Sequence, residues 1–265
     1  MRDIILKGIK SVKTDILGIR FDNVTRAEAL VRVVDYLDDE GFTRTVVTPN
    51  PEMVMEATHN PAFGDILNLA NLCVPDGIGI VIASKLLGGG LPQRVAGIEL
   101  IEAVFERMSV DGQTCTVFLL GGKPAKDGLP SVAERAKQQL ERRYSAARVV
   151  GAYDGYFDGE REKLIVEQIG KVQPDLLLVG LGFPKQEMFI DKYRAVLNAR
   201  VCIGCGGSLD VFAGEVTRAP LAFRRLGLEW LYRLIKQPSR FGRMLVLPIF
   251  ILRVIAYKYK TGRQA

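Results

Sequence analysis

The sequence has few of the residues that bind transition metals. It contains one histidine, His59, and four cysteines among its 265 residues. Cys202 and Cys205 have the Cys-x-x-Cys spacing of a redox pair or of half a zinc site. They lie, however, in the run ARVCIGCGG, which is typical of a buried strand ending at a glycine turn. We therefore predict buried thiols in a reducing cytoplasm, and no metal site.

Two common nucleotide-binding fingerprints are also missing. The glycine-rich turns GGKPAKDG and GLGFPKQE do not match G-x-G-x-x-G, and no turn has the Gly-Lys-Ser/Thr of a P-loop. NAD binding and ATP hydrolysis of these kinds are therefore not supported. Nucleotide binding itself stays open, because glycines between a strand and a helix let the backbone approach a phosphate closely. Tight turns without a ligand explain the same glycines equally well.

Acidic residues are nearly absent from the C-terminal segment, which we define as residues 218–265. This segment has eleven basic residues and one acidic residue, Glu229, so its net charge is +10 in a chain whose total is +6, and residues 1–217 carry −4. Such an asymmetry indicates an anionic partner.

Long hydrophobic runs are lacking too. The apolar run 244–252 in the C-terminal segment is under half of the roughly 20 residues that a membrane-spanning helix needs. With its basic and aromatic flanks, the run is typical of a segment that lies on anionic lipid. We do not expect nucleic acid as the anion, because no recognised binding motif accompanies the charge. A helical hairpin packed on the body is the alternative.

Buried apolar runs alternate with helical patterns along most of the chain. This alternation predicts an α/β fold with a Rossmann-like, mostly parallel sheet and helices on both faces. We divide the chain into a core, 1–217, and a basic helical appendage, 218–265. The predicted strands are 13–24 (one strand followed by a turn), 43–50, 115–122, 147–153, 174–182 and 199–207. The predicted helices are 25–39 (with a capping box from Thr25 to Glu28), 61–71, 78–87, 97–108, 130–144, 159–170 and 185–197.

Polar residues cluster where these strands end. Thr48 and Asn50 end one strand, Arg94 follows a triple-glycine turn, and Gln186 begins a helix beside Glu187. Parallel sheets bind ligands beyond the carboxyl ends of their strands, so these groups can surround one crevice. Together they would supply amide groups and a cation for transfer chemistry on a diphosphate. Each is equally explained as a helix cap or a solvated loop residue.

An aspartate interrupts the apolar stretch LCVPDGIGIV. Asp76 stands between Pro75 and Gly77, which mark a turn. A turn aspartate that bonds its own backbone is one interpretation, and a general base at the mouth of the sheet is the other. The residues of the turn alone leave both interpretations open.

Seven segments together resemble the WecG/TagA/CpsF family of bacterial glycosyltransferases. The likeness covers about residues 15–245, and the chain departs from it by extending past Arg243 with an apolar run. In order, the segments are TPNPEMV, VPDGIGIV, QRVAGIEL, FLLGG, VGLGFPKQE, GCGGSLDVFAGEVTRAP and LEWLYRLIKQPSRFGR.

The resemblance implies a metal-independent, inverting transfer of a sugar, commonly N-acetylmannosamine, from a UDP donor. The implied acceptor is N-acetylglucosamine on diphosphoundecaprenol, used in teichoic acid or surface polysaccharide synthesis. The implied location is the inner face of the cell membrane, reached through the appendage. Self-association of the apolar tail, and thus a homo-oligomer, stays open. The rival functions are a nucleotide-dependent oxidoreductase and a non-catalytic membrane adaptor.

The same resemblance assigns site residues. It makes Asp76 the catalytic base. The residues that it implies for substrate binding are Thr48, Asn50, Arg94 and Gln186 in the core and Arg233, Arg240 and Arg243 in the appendage.

Overall fold

The computed structural model describes residues 12–39, 41–225, 227, 229–236, 242 and 245–261. It confirms the predicted α/β class. The strands are β1 (Lys13–Ile16), β2 (Ile19–Asp22), β3 (Arg44–Val47), β4 (Leu72–Cys73), β5 (Cys115–Gly121), β6 (Ala147–Tyr153), β7 (Leu176–Gly180) and β8 (Val201–Gly204). The helices are α1 (Arg26–Asp38), α2 (Pro51–Ala57), α3 (Pro61–Leu69), α4 (Ile78–Leu87), α5 (Gly97–Val110), α6 (Val132–Arg143), α7 (Gly159–Val172), α8 (Lys185–Tyr193), α9 (Ser208–Phe212), α10 (Leu221–Arg225), α11 (Glu229–Lys236) and α12 (Val246–Thr261).

Strands β3 to β8 form one parallel sheet in the order β4-β3-β8-β7-β5-β6. Helices cover both of its faces, which is why the strands are continuously apolar. In β5, Val117 and Leu119 pack into the cluster formed with α1, α5, α6 and α9. Phe118 and Leu120 point the other way, into the cluster formed with α7 and α8. The predicted sheet with helices on both faces is therefore confirmed.

The prediction of a single strand over residues 13–24 is wrong. β1 and β2 pair antiparallel as a hairpin, with Leu17 and Gly18 at its tip, at φ 53° and 90°. Positive φ at both central residues suits a two-residue hairpin turn, because it matches the twist of the strands. Ile16, Ile19 and Phe21 on this hairpin are buried in a third apolar cluster, together with α2, α3 and α4.

Helix α2 was not predicted, although its start has a clear sequence signal. Asn50 is its N-cap, with the side-chain oxygen accepting from Met53 N at 3.0 Å, and Pro51 is its first residue. Asparagine at the cap and proline at the first position are the residues that a helix start favours. The predicted capping box of α1 is confirmed, since Glu28 N donates to Thr25 Oγ1 at 3.2 Å and Thr25 N to Glu28 Oε2 at 2.7 Å.

The last helix, α12, packs on the body along one side only. Phe250 and Val254 are fully buried in the third apolar cluster, against α2 and α4. On its other side, Leu252 is 66% exposed and Tyr259 is 72% exposed. The alternative of a helical segment packed on the body therefore describes one face of α12, and the other face presents apolar groups to solvent. None of the helices in the described ranges has the length and hydropathy to cross a membrane.

Candidate active site

Two cavities open at the carboxyl ends of the strands. The Asp76 cavity, about 190 Å³, is lined by Asn50, Asp76, Arg94, Glu229 and Trp230 among others. The glycine-edged cavity, about 1140 Å³, lies where β5, β7 and β8 end. β5 and β7 are neighbours in the sheet, with β6 beyond β5 and β8 beyond β7. The chain therefore leaves these two strands in opposite directions, and their ends form a topological switch point. Open α/β sheets bind ligands at such a point.

Backbone pairing of β3 with β4 places Asp76. Past the end of the two strands, Val74 N donates to Val47 O at 3.0 Å and Asp76 N donates to Pro49 O at 3.0 Å. Gly77, at φ 100°, then turns the chain into α4. Asp76 is thus held beside Asn50 at the strand ends, half-buried and facing the cavity.

The Asp76 carboxylate lies at the N-terminus of α5. Its Oδ2 accepts from the backbone N–H of Gly97, the first residue of α5, at 3.5 Å. A helix N-terminus attracts negative charge. Thr48 packs against the same glycine, where a Cβ would come within 2.9 Å of Thr48 Oγ1. Gly97 therefore lets the end of α5 approach both the base candidate and the end of β3.

Arg94 joins the core to the C-terminal segment. Its guanidinium donates to Glu229 Oε2 at 3.0 Å and to Glu99 Oε1 at 3.3 Å. Its side chain is only 14% exposed, and this burial lowers its pKa. The carboxylates of Asp76, Glu229 and Glu99 outweigh the burial, so the pKa of Arg94 is raised overall and the group stays charged.

Further ion pairs anchor the C-terminal segment on α5. Arg218 contacts Glu99 at 2.7 Å and Glu102 at 2.9 Å, and Arg224 contacts Glu99 at 3.6 Å. All of these side chains are less than a quarter exposed, so their pairing matters more than that of surface ion pairs. The segment is therefore attached at the border of the Asp76 cavity.

Apolar groups also line the Asp76 cavity. They come from α4, α5, α11 and the first turn of α12, and they are Ile78, Ile98, Trp230 and Leu247. A Cβ on Gly79 would meet Leu247 Cδ1 at 2.6 Å and Pro51 Cγ at 2.9 Å. Only glycine therefore allows α12 to begin this close to the turn that carries Asp76. The cavity lining therefore combines charged and apolar groups.

The predicted site residues fall into three groups. Asn50, Asp76 and Arg94 line one cavity, and Thr48 lies at its rear against α5. Gln186 lies apart from them, beside the glycine-edged cavity. Arg233 belongs to α11, about one helical turn after Glu229 and Trp230 in the sequence. Arg240 and Arg243, which we also predicted to bind substrate, lie outside the described residues.

Both polar atoms of the Gln186 side chain are hydrogen-bonded within the protein. Its Oε1 accepts from Gly206 N at 3.0 Å and from Gly182 N at 3.2 Å, and its Nε2 donates to Glu187 Oε1 at 2.7 Å. Gln186 and Glu187 are 4% and 2% exposed. Burial raises the pKa of Glu187 to about 7, against the hydrogen bond from Gln186 that lowers it. A contact between Gln186 and a substrate stays a prediction.

Sequence reasoning missed the charged lining of the glycine-edged cavity. Lys123 and Lys185 border it, together with Tyr156 and the glycines at 122, 180, 182, 206 and 207. The signal was present, because Lys123 directly follows the Gly121-Gly122 strand end and Lys185 begins the helix after Gly182. The backbone N–H groups of Gly122, Gly182 and Gly206 are already bonded within the protein, and the lining also includes Asp158, Glu162, Asp191 and Asp210. The two lysines are therefore the groups that can attract a phosphate-bearing ligand to this strand-end border.

The cysteines behave as predicted. All four are free and buried, and burial raises the pKa of the Cys202 and Cys205 thiols to about 12. They are therefore unreactive as thiolates at neutral pH. Over the ranges that the structure describes, no group of three or more His, Cys, Asp or Glu side chains is arranged to hold a metal ion.

Comparison with known proteins gives a consistent match over nearly the whole chain. The model of the glycosyl transferase WecG/TagA/CpsF family matches residues 14–264. A Bacillus spizizenii protein named N-acetylglucosaminyldiphosphoundecaprenol N-acetyl-beta-D-mannosaminyltransferase is 39% identical over 225 residues, which cover 85% of this chain and 84% of that protein. Proteins of the same name from two Staphylococcus aureus strains are 37% identical over 254 residues, 96% of each chain. The match runs past Arg243, so our interpretation of that stretch as a departure from the family is wrong.

Proposed function

Because the chain belongs to the WecG/TagA/CpsF family of glycosyl transferases, we propose that it transfers N-acetylmannosamine from UDP to N-acetylglucosamine on diphosphoundecaprenol. The sugar and the acceptor are those in the names of the relatives. The observation that carries the proposal is the Asp76 cavity, whose lining at the strand ends combines a carboxylate, a buried arginine and apolar side chains. An acceptor with a sugar, a diphosphate and a lipid needs all three features.

Asp76 is the general base of this mechanism. The acceptor hydroxyl oxygen attacks the anomeric carbon of the donor sugar, and its proton passes to the Asp76 carboxylate as the bond forms. The bond from the anomeric carbon to the UDP oxygen breaks on the opposite side, and UDP leaves with the electron pair. Attack from the face opposite the leaving group inverts the anomeric configuration.

Fixed cations meet the charge that develops on the leaving diphosphate. Arg94 is held in place by Glu99 and Glu229 before any ligand binds, so little reorganisation is needed during the reaction. In the proposal Arg233, Arg240 and Arg243 supply further positive charge from the C-terminal segment. These groups do what a divalent cation does in other transferases, and we expect turnover without one.

The donor nucleotide occupies the glycine-edged cavity in this proposal. The cavity has room for a nucleoside diphosphate, and its border combines strand-end glycines with Lys123 and Lys185. Tyr156 offers an aromatic surface for a base. The two cavities then divide the substrates, with the donor held by the core and the acceptor held against the C-terminal segment.

The outer face of α12 is the proposed membrane contact. Ile249, Leu252 and Tyr259 are exposed there, in the same helix as Arg253 and Lys258. Apolar groups with basic neighbours favour a helix that lies in the surface of an anionic membrane. The enzyme would therefore work at the inner face of the membrane, where the lipid-linked acceptor is found.

A transfer assay with a panel of radiolabelled UDP-sugars tests this function. We expect label from UDP-N-acetylmannosamine in a lipid-linked N-acetylglucosaminyl diphosphate, with and without EDTA. Label from another sugar would change the donor, and dependence on added metal would remove the proposed role of the arginines. No transfer, with either a cofactor-linked absorbance change or vesicle binding alone, would favour an oxidoreductase or an adaptor.

A further inference from the structure

One buried side chain, Gln186, connects two loops of the glycine-edged cavity. The Gly182 loop (180–184) follows β7, and the Gly206 loop (204–207) follows β8. Gln186 Oε1 accepts the backbone N–H of Gly206 at 3.0 Å and that of Gly182 at 3.2 Å. Gly182, Gly206 and Gly207 border the cavity. This amide oxygen therefore joins the two loops at the border of the cavity, beyond the last backbone bond between the strands, from Cys205 N to Val179 O at 2.8 Å.

This connection works in only one orientation of the amide. A backbone N–H can only donate, so both loops need the oxygen of Gln186 and not its NH2 group. If the amide turned over, three donors would face each other in a site without solvent, which costs the desolvation of each group. Something must therefore hold the NH2 group on the other side.

Glu187 meets this requirement. Its Oε1 accepts from Gln186 Nε2 at 2.7 Å, and a carboxylate oxygen cannot pair with the amide oxygen in the flipped orientation. Its second oxygen, Oε2, is buried and accepts no hydrogen bond from the described part of the chain. A buried acid is costly, and only one of its two oxygens serves the structure. The bond to Gln186 accounts for its presence.

The end of β8 is shaped around this pair. A Cβ on Gly204 would come within 2.7 Å of Gln186 Nε2 and 2.8 Å of Glu187 Oε1. Real Cβ atoms do not approach so closely, so glycine is required at position 204 for the two side chains to keep their bond.

We propose that Glu187 is a positioning residue, whose carboxylate holds the Gln186 amide in the orientation that joins the Gly182 and Gly206 loops. It acts on the donor through Gln186 and makes no contact with the donor itself. The consequence for the nucleotide rests on the proposed donor site, whereas the consequence for the loops does not. The two can therefore be tested separately.

Hydrogen–deuterium exchange at pH 8, above the Glu187 pKa of about 7, tests the loops with the carboxylate ionised. We compare the full-length protein with Glu187→Leu, which removes the acceptor, and Glu187→Gln, which keeps it. We expect peptides containing Gly182 and Gly206 to exchange about tenfold faster in Glu187→Leu, and within about twofold of the parent in Glu187→Gln. Ile169→Val is the matched control, because Ile169 is equally buried, in the apolar cluster formed with α7 and α8, but belongs to α7, a different helix from the one that carries the pair.

Several outcomes would overturn the proposal. They are unchanged exchange in Glu187→Leu, equal acceleration in Ile169→Val, and failure of Glu187→Gln to restore protection. If Glu187→Leu does not fold, Gly204→Ala replaces it, since its Cβ displaces the same pair and should expose the same two peptides. Unchanged exchange in Gly204→Ala would overturn the proposal equally.

UDP titration by calorimetry gives the functional readout. We expect the Kd of UDP to rise about tenfold in Glu187→Leu and to stay near the parent value in Glu187→Gln. An unchanged Kd in Glu187→Leu would show that the loops do not set donor affinity. If the parent protein does not bind UDP, the proposed donor site is wrong, and the exchange experiment still decides the role of Glu187.

Discussion

The two cavities at the end of the sheet are built in different ways. The residues that line the Asp76 cavity lie as far apart in the chain as Asn50 and Leu247. Ion pairs between the core and the C-terminal segment hold this cavity together. The glycine-edged cavity is formed by the ends of β8, β7 and β5, which are neighbours in the sheet. Backbone hydrogen bonds and the buried amide of Gln186 hold this cavity together. The second is therefore formed by the sheet itself, whereas the first depends on where the C-terminal segment lies. A substitution at one cavity should leave ligand binding at the other largely intact.

Asp76→Asn should show the largest difference between the two cavities, because it should lower transfer strongly and leave UDP affinity unchanged. Loss of a general base typically costs about 10²–10⁴-fold, so we expect transfer to fall by about 10³-fold. The Kd of UDP should stay within about twofold, because Asn keeps the shape of the side chain and the proposed nucleotide site is the other cavity. Single-turnover transfer and calorimetry measure the two effects. Parent-like turnover would remove Asp76 from the mechanism.

A pH experiment isolates the glycine-edged cavity. The pKa of Glu187 is raised from 4.5 to about 7 by burial, so between these values the unfolded chain loses its proton and the folded chain keeps it. Stability should therefore fall as the pH rises from 4.5 to 7 and then level off. Glu187→Gln removes this titration, so its advantage over the parent should grow by about 3 kcal/mol across that window. Urea unfolding at pH 4.5 to 8 measures it, and parallel curves would contradict the shift.

The smallest effect should come from the link between the segment and the core. Glu229→Gln weakens one of the carboxylate partners of Arg94 and leaves Glu99 in place. We expect about a tenfold loss of transfer, or about 1.4 kcal/mol, with an unchanged Kd of UDP. Glu215→Gln is the control, because Glu215 pairs with Arg135 and borders neither cavity. An equal loss in both variants would argue against a special role for Glu229.

Elements with a clear pattern in a short segment of sequence could be predicted, whereas contacts between distant residues could not. Runs such as CTVFLLGG predicted β5 correctly because both faces of that strand are buried. The β1–β2 hairpin was missed because its Leu17-Gly18 tip lacks the usual Asn-Gly or Asp-Gly signal. Asp76 could be singled out because an acid in an apolar turn is conspicuous. The bond from Arg94 to Glu229 could not, since 135 residues separate the partners and only the packing of the C-terminal segment brings them together.

The close approach of Leu247 to Gly79 has a mechanical consequence. Gly79 is three positions after Asp76, and Leu247 belongs to the first turn of the helix whose outer face is apolar. A movement of that helix would reach the turn that carries Asp76 through Leu247, and it would reach α2 and α4 through Phe250 and Val254. In the proposed function, contact of the outer face of α12 with a membrane would therefore also act on the position of the Asp76 carboxylate.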